Sequence, residues 1–329
     1  MTKTVNIATK NHKDYFEIVI AGITIRFQTA HQSDIDCLEG LFLYHKSTND
    51  MPYEKGKIVH NVIFSSERFC LPKNVVPEWE GVGNTEYGIT AVWYNSKVAH
   101  ENFIAVGKDI LIHHIPEKNL SVCYLAEKKK LFRKFRHRPK LNIYIFLLIH
   151  NILSMYGKYT IHSACAAKNG LAYLFLGKSG YGKTTISTLL GKAGFDYMGD
   201  DLAFISRDEN GEIVVDSFLC NAKIVNETET QNLEKNVVDV IKEYNFSYSY
   251  RRKLGAIFEL QQNYLSEKST LNPLSQVDVY TLLIHSGNNI KMQYNPQLWL
   301  DICEQAVTLP CYNLLFGDKK YFNSEILNI

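Results

Sequence analysis

Gly177-Lys178-Ser179-Gly180-Tyr181-Gly182-Lys183-Thr184 carries the clearest chemistry in the chain, because it satisfies the phosphate-loop pattern G-x-x-x-x-G-K-[ST]. Glycines let the backbone curl so that successive N–H groups face phosphate oxygens, a lysine neutralises their charge, and a hydroxyl reaches Mg²⁺. Lys183 and Thr184 fit the last two tasks, and Gly177, Ser179, Gly180, Tyr181, Gly182 and Thr185 join them as the expected nucleotide-binding residues. A glycine-rich turn that only joins a strand to a helix is the bland alternative.

The elements that must hold such a loop are legible on both sides of it. The apolar run Leu171–Leu176 reads as a buried strand leading into the loop, and Lys183 to Ala193 reads as a helix with Ile186, Leu189 and Leu190 turned inward and Gly194 as its stop. The N-terminus of that helix adds partial positive charge where phosphates would sit. Upstream, His162–Lys168 and Leu171–Leu176 are two strand-like runs joined by Asn169-Gly170, a strong hairpin signal. The loop strand is thus expected to have an antiparallel neighbour, unlike a simple βαβ array.

After the helix, Asp200 and Asp201 interrupt the apolar pattern of Phe195 to Ile205. Adjacent side chains on an extended backbone point to opposite faces, which predicts two separate tasks rather than one dyad. One carboxylate would hold the metal or its water, and the other would take the proton of an acceptor hydroxyl. A turn with two aspartates is the alternative. Tyr250-Arg251-Arg252-Lys253 is a second basic cluster: it either approaches the phosphates or the acceptor, or forms a solvated turn before a strand Ala256–Leu260.

Together these residues resemble the catalytic domain of the HPr serine kinase/phosphorylase family, whose core is similar to that of ATP-dependent phosphoenolpyruvate carboxykinases. The resemblance covers Ile161 to Ile205: Ile161-His162, the Asn169-Gly170 hairpin, the loop GKSGYGKTT, its helix, then Gly199-Asp200-Asp201. His162 precedes Gly177 by fifteen positions and Asp200 follows Thr184 by sixteen, as in the family's pattern. The resemblance implies Asp200 as general base, with Asp201 near the metal beside Thr184, and His162 as a supporting catalytic residue. By itself His162 also reads as a core histidine. The segment Asp216 to Lys223 lacks the glycines and the glutamate that the family places there, so the resemblance does not extend to recognition of HPr or to the phosphorylase reaction. The chain looks more like the stand-alone HPr-kinase-like proteins found beside ribosomally made peptides, lasso peptides included, some of which phosphorylate a peptide serine.

The remaining composition bounds the rest. The chain has 329 residues, 46% of them hydrophobic and 21% charged, with a formal net charge of +2, enough for two globular domains. Seven scattered cysteines without a CxxC pair exclude a disulfide scaffold and a zinc ribbon, and point to a reducing, cytoplasmic compartment. Met1 to Tyr15 has no apolar leader core. Leu141–Tyr156 is interrupted by Asn142, His150, Asn151 and Ser154 before it reaches spanning length, so it reads as a buried helix rather than a membrane span. Eight cations between Lys128 and Lys140, without a carboxylate, account for the positive balance; without them the formal charge of +2 would become −6. Such a run suits a solvated helix face, or a nucleic acid, membrane surface or acidic peptide. A nucleic-acid role rests on that run alone.

The expected fold is α/β: a mixed-sheet P-loop kinase domain of HPr kinase type over 161–329, a basic and apolar helical connector over 126–160, and a strand-rich N-terminal domain over 1–125 that selects the acceptor. A helix is expected around Asp34 to His45, strands at Glu212–Phe218 and Val277–His285, a helix at Pro296–Ala306, and a closing strand within Val307–Phe316. The expected activity is Mg²⁺-dependent transfer of the γ-phosphoryl of ATP, or of another nucleoside triphosphate, to a Ser or Thr hydroxyl of a peptide or small protein. The alternatives are a kinase of a small metabolite and a non-enzymatic module that binds nucleotide to change shape. A homo-oligomer is compatible with the resemblance, because related kinases often form hexamers.

Overall fold

The computed structural model describes residues 15–29, 32–46, 58–65, 71, 75–84, 89–96, 101–106, 110–125, 139–219, 222–225, 235–263, 266–287 and 295–327. Residues 1–14 and the basic run up to Arg138 lie outside the described residues. The fold is mixed α/β and divides into two compact units, Met1–Leu148 and Ile149–Ile329. Among the described residues no helix is long and apolar enough to cross a membrane.

The first unit is built on an eight-stranded sheet in the order β1-β2-β3-β8-β7-β6-β5-β4. Its strands are β1 Tyr15–Ile20, β2 Ile23–Gln28, β3 Val59–Ser65, β4 Val75–Asn84, β5 Ile89–Ser96, β6 Asn102–Val106, β7 Ile110–Ile115 and β8 Leu120–Leu125. Ala21-Gly22 joins β1 to β2 in a tight hairpin turn with both residues at positive φ, 51° and 79°. Helix α1, Gln32–Leu41, contributes the buried Ile35 and Leu38, and Phe42 stacks on Phe27 at 6.2 Å between centroids.

A polar knot is buried in this sheet. Ser121 Oγ lies 2.7 Å from His60 Nε2 and 2.7 Å from His114 Nδ1. One hydroxyl proton serves only one ring, so the other ring donates its own N–H to the oxygen, while burial disfavours the charged form of both imidazoles. A serine between two histidines could be a nucleophile, but Ser121 and His60 are fully buried and His114 nearly so, which makes the knot structural. Burial pushes His60 down to about 4 and His114 to about 3, the latter helped by His60 and His113. The unfolded chain then binds more protons than the folded one from the ordinary value of 6.5 down to about 4. Stability of the first unit is therefore expected to fall as pH drops through that window, read as a declining urea midpoint in circular dichroism; a midpoint flat between pH 7 and pH 4 would contradict the knot.

The second unit begins inside helix α2, Pro139–Met155, whose buried Ile149, Ile152 and Leu153 answer the expectation of a core helix. Its strands are β9 Tyr159–Ile161, β10 Ser163–Lys168, β11 Leu171–Leu176, β12 Asp196–Gly199, β13 Ala203–Arg207, β14 Ile213–Ser217, the separate pair β15 Ala222–Val225 and β16 Lys235–Val238, then β17 Arg251–Gln262, β18 Thr270–Pro273 and β19 Cys311–Phe316. The main sheet runs β12-β10-β11-β17-β14-β13-β9, with β19 and β18 continuing from β17. Strand β11 is antiparallel to β10 and parallel to β17, and β17 is parallel to β19, so the C-terminal ends of three strands share one edge.

Both faces of this sheet are covered. On one, Tyr173, Phe175, Phe258 and Leu260 pack with Ile186 and Leu190 of helix α3, Lys183–Lys192. After the short α4, Val240–Tyr244, come the two helices that close the other face, α5 Gln276–Ser286 and α6 Pro296–Ala306. They bring Val279, Leu283, Trp299 and Ile302 against Leu174, Leu176 and Ile257. Burial from two sides explains why β11 and the middle of β17 read as continuous apolar runs.

The Val277–His285 segment corrects the expected strand, because it lies in α5. Its β-branched residues carry strand propensity, but Val279 and Leu283 are spaced by four and face the core, while Ser275 caps the helix by accepting the Asp278 N–H at 3.2 Å. Packing and capping outweigh a propensity difference of well under ~1 kcal/mol per residue.

Candidate active site

The hairpin register fixes the site. Asn169 and Gly170 take positive φ, 53° and 81°, and pair Ser163 with Leu176, so β11 ends beside the start of β10. On the other flank of β10, β12 pairs antiparallel, with Ala166 opposite Tyr197 and Cys165 opposite Gly199. The end of β12 and the end of β11 thus lie on the same edge, with one strand between them. The phosphate loop leaves from one and Asp200-Asp201 from the other.

The loop has the shape its glycines predict. Gly180 and Gly182 have φ of 88° and 92°, and Gly182 is the N-cap of α3 with no side chain capping the helix. The first-turn amides of a helix have no intrahelical acceptor, so an uncapped start offers them to an anion. A Cβ added at Gly177 would stand 2.8 Å from the Leu260 carbonyl oxygen, whereas at Gly180 it would meet nothing within 4 Å. The loop is wedged against β17 at its base and open at its crown. Ser179 is exposed, Tyr181 packs against the α3-side core, and Thr185 Cβ lies 4.0 Å from where a Gly182 Cβ would sit.

Lys183 folds back over the loop, its Nζ donating to the carbonyls of Gly177 at 2.7 Å and Lys178 at 3.2 Å. Burial lowers its pKa, and the charges of Asp201 and Asp200 oppose that. Thr184 Oγ1 donates to Asp200 Oδ2 at 2.9 Å across sixteen positions of sequence. Asp200 is only 6% exposed, and burial raises its pKa; the Thr184 hydroxyl opposes the shift and the neighbouring Asp201 charge adds to it.

The two aspartates diverge as expected, though they do so in a bend between β12 and β13 rather than on a strand. Asp201 is 65% exposed at its side chain, with Oδ1 3.1 Å from His162 Nδ1. The same nitrogen lies 2.8 Å from the Asp201 carbonyl oxygen. Neither oxygen can donate, so Nδ1 carries the ring proton and Nε2 faces away as an acceptor or, in the charged ring, a second donor. The His162 backbone N–H is tied to Ser286 O at 2.7 Å, which fixes the root of the side chain.

The structure brings Lys183, Thr184, Asp200, Asp201 and His162 together, but not the second basic cluster. Lys253 pairs in register with Leu171, at the opposite end of β11 from the loop. The six residues of that strand put the cluster about 20 Å from the loop. Its charges are engaged elsewhere: Arg251 with buried Asp216 at 3.8 Å, Arg252 with Asp196 at 3.8 Å, and Lys253 with Glu212. The expected turn is the beginning of β17, and Arg251, Arg252 and Lys253 are withdrawn from the site. Sequence reasoning in turn missed Leu260 and Phe316, the walls of the loop, since ordinary apolar residues from remote strands carry no local signal.

Among the described residues no group of three or more His, Cys, Asp or Glu could cage a metal. A hydroxyl paired with a carboxylate, Thr184 with Asp200, nevertheless fits Mg²⁺, which uses one or two protein oxygens and takes the rest from phosphates and water.

No family model matches the chain. No curated protein matches it in sequence. Among solved structures it is similar to the HPr(Ser) kinase/phosphatase from Coxiella burnetii, at 12% identity and a TM-score of 0.28 over 51% of this chain and 89% of that one. A likeness at that score carries no functional weight.

Replacing Gly182 by Ala forces a side chain into a left-handed conformation costing about 1–2 kcal/mol. The expected result is a lower urea midpoint for the second unit together with loss of triphosphate binding; full retention of both would show that the loop does not need this backbone.

Proposed function

We propose that this chain is a Mg²⁺-dependent kinase that transfers the γ-phosphoryl of ATP to a Ser or Thr hydroxyl of a peptide or small protein. The Thr184–Asp200 hydrogen bond supports this reading most directly, because it ties a buried carboxylate to the hydroxyl at the head of the phosphate-loop helix. In this proposal the amides of Gly180 to Thr184 and the Lys183 ammonium hold the phosphates. Mg²⁺ would neutralise charge on the transferring group. The loop, the lysine and the two carboxylates supply alignment and charge compensation, which make up most of the catalysis in phosphoryl transfer.

Two assignments of the carboxylates are separable. In the one implied by the family resemblance, Asp200 takes the acceptor proton and Asp201 joins Thr184 at the cation; the raised pKa of Asp200 favours it, since a stronger base suits that task. The observed contact favours the reverse: Asp200 sits on Thr184, while Asp201 is held outward by His162 where an acceptor would arrive.

Transfer is tested with γ-labelled ATP, Mg²⁺ and a pool of serine peptides. Lys183→Ala should abolish labelling, and Asp200→Asn should reduce it roughly 100-fold or more. If Asp200 is the base, its nucleotide affinity and Mg²⁺ requirement should stay within a few-fold of wild type. If it serves the cation, the Mg²⁺ concentration for half-maximal rate should rise at least tenfold, and Asp201→Asn should become the variant that loses rate alone. Nucleotide binding without any transfer, with Asp200→Asn indistinguishable from wild type, would leave a nucleotide-responsive module and remove the kinase.

A further inference from the structure

We propose a nucleoside subsite beyond the loop, an inference that rests on the nucleotide-binding reading above. Strands β11, β17 and β19 end at one sheet edge with Leu176, Gln262 and Phe316. In open α/β sheets ligands gather outside the C-terminal ends of such strands. The phosphate loop follows β11. Past the ends of β17 and β19 lies a cavity of about 380 Å³ lined by Glu267, Lys268, Ser269, Tyr321, Asn323 and Ile326.

A short chain of contacts joins loop and cavity. The Phe316 ring lies 3.8 Å from the position a Gly182 Cβ would take. The next residue, Gly317, donates its N–H to Ser269 Oγ at 3.1 Å, and Ser269 is a wall of the cavity. Phe316 and Phe322 have ring centroids 5.4 Å apart, and Tyr181 of the loop packs in the same apolar cluster as Phe316, Phe322 and Ile326. Two contacts and one residue step connect the helix end of the loop, at Gly182, to the cavity wall at Ser269.

A triphosphate held at Gly180–Thr184 then extends its sugar past the part-buried Tyr181, over the apolar cluster that buries Phe316, and sets its base in the cavity. The size falls within the range of small-molecule sites and is too small for a folded partner. Tyr321 is 58% exposed, an aromatic face that the fold leaves uncovered and that would stack on a purine or pyrimidine. Ile326 gives an apolar floor, and Glu267, Lys268 and Asn323 give polar edges. Stacking is tolerant of base identity, so the subsite binds the nucleoside without by itself choosing ATP over GTP.

The test compares two probes by calorimetry on the full chain: ATP, which needs loop and cavity, and inorganic tripolyphosphate, which needs the loop only. Tyr321→Ala should weaken ATP roughly tenfold and leave tripolyphosphate unchanged, while Tyr321→Phe should keep both. Lys183→Ala should weaken both probes. Unchanged ATP affinity in Tyr321→Ala overturns the subsite while leaving the loop reading intact, as does equal weakening of the two probes. A Tyr321→Ala loss confined to the acceptor peptide assigns the cavity to the acceptor and also overturns it. Failure of the wild-type chain to bind either probe removes the nucleotide reading, and the subsite with it.

Discussion

A carboxylate taken out of water has to be compensated or neutralised, and at Asp200 the compensation comes from across the sheet. Thr184 supplies one hydroxyl proton, and Lys183 supplies charge close enough for its own pKa to register the aspartate. Burial outweighs these groups together with the hydrogen bonds from the Tyr197 side chain and the Asp200 backbone, which is why the pKa of Asp200 moves up despite them. A site in that condition is poised for a cation or a proton. The rest of the second unit can be understood as what holds those two ends, loop and bend, in contact.

That task falls to β10. It pairs with β11 on one side in continuous register and with β12 on the other, where the register shifts between Cys165 and Ala166. A slip of one residue in either pairing would turn the faces of the strands over, exposing Cys165 and Ala167 to the wrong core. The same register places His162 immediately before β10, so the histidine that meets Asp201 enters from the same strand edge. Gly199 completes the geometry: a Cβ there would lie 3.2 Å from both the Leu202 and Phe218 carbonyl oxygens, so the chain turns tightly enough for Asp200 to face inward.

Features written in local chemistry were legible in the sequence. The glycine-rich loop Gly177–Thr184, its helix and strand, and the Asn169-Gly170 hairpin each need only a few neighbouring residues to be specified. Asp200 and Asp201 do diverge, but in a bend, where the alternation of an extended strand that predicted it does not apply. Segments decided by distant partners were not legible. Val277–His285 has strand-like composition, and its helix is settled by the core it covers. Arg251 to Lys253 look like a free basic cluster until β17 pairs with β14 and β11 and moves them to the far end of the sheet. Leu260 and Phe316 became part of the site only because parallel pairing brings strand ends from three separated stretches to one edge.

The exposure of the outer pair bears on which acceptor the site could serve. His162 and Asp201 keep 42% and 65% of their side-chain surface, so water reaches the place where an acceptor hydroxyl would lie. A kinase that holds a triphosphate in reach of water loses it to hydrolysis unless something excludes the solvent during transfer. A small metabolite covers little surface and would need the protein to close over it. A peptide segment or a protein surface brings its own bulk and excludes water as it docks, so the attacking hydroxyl and the dry environment arrive together. In the proposed kinase, an open outer pair beside a buried inner carboxylate would therefore favour a macromolecular acceptor over a small one.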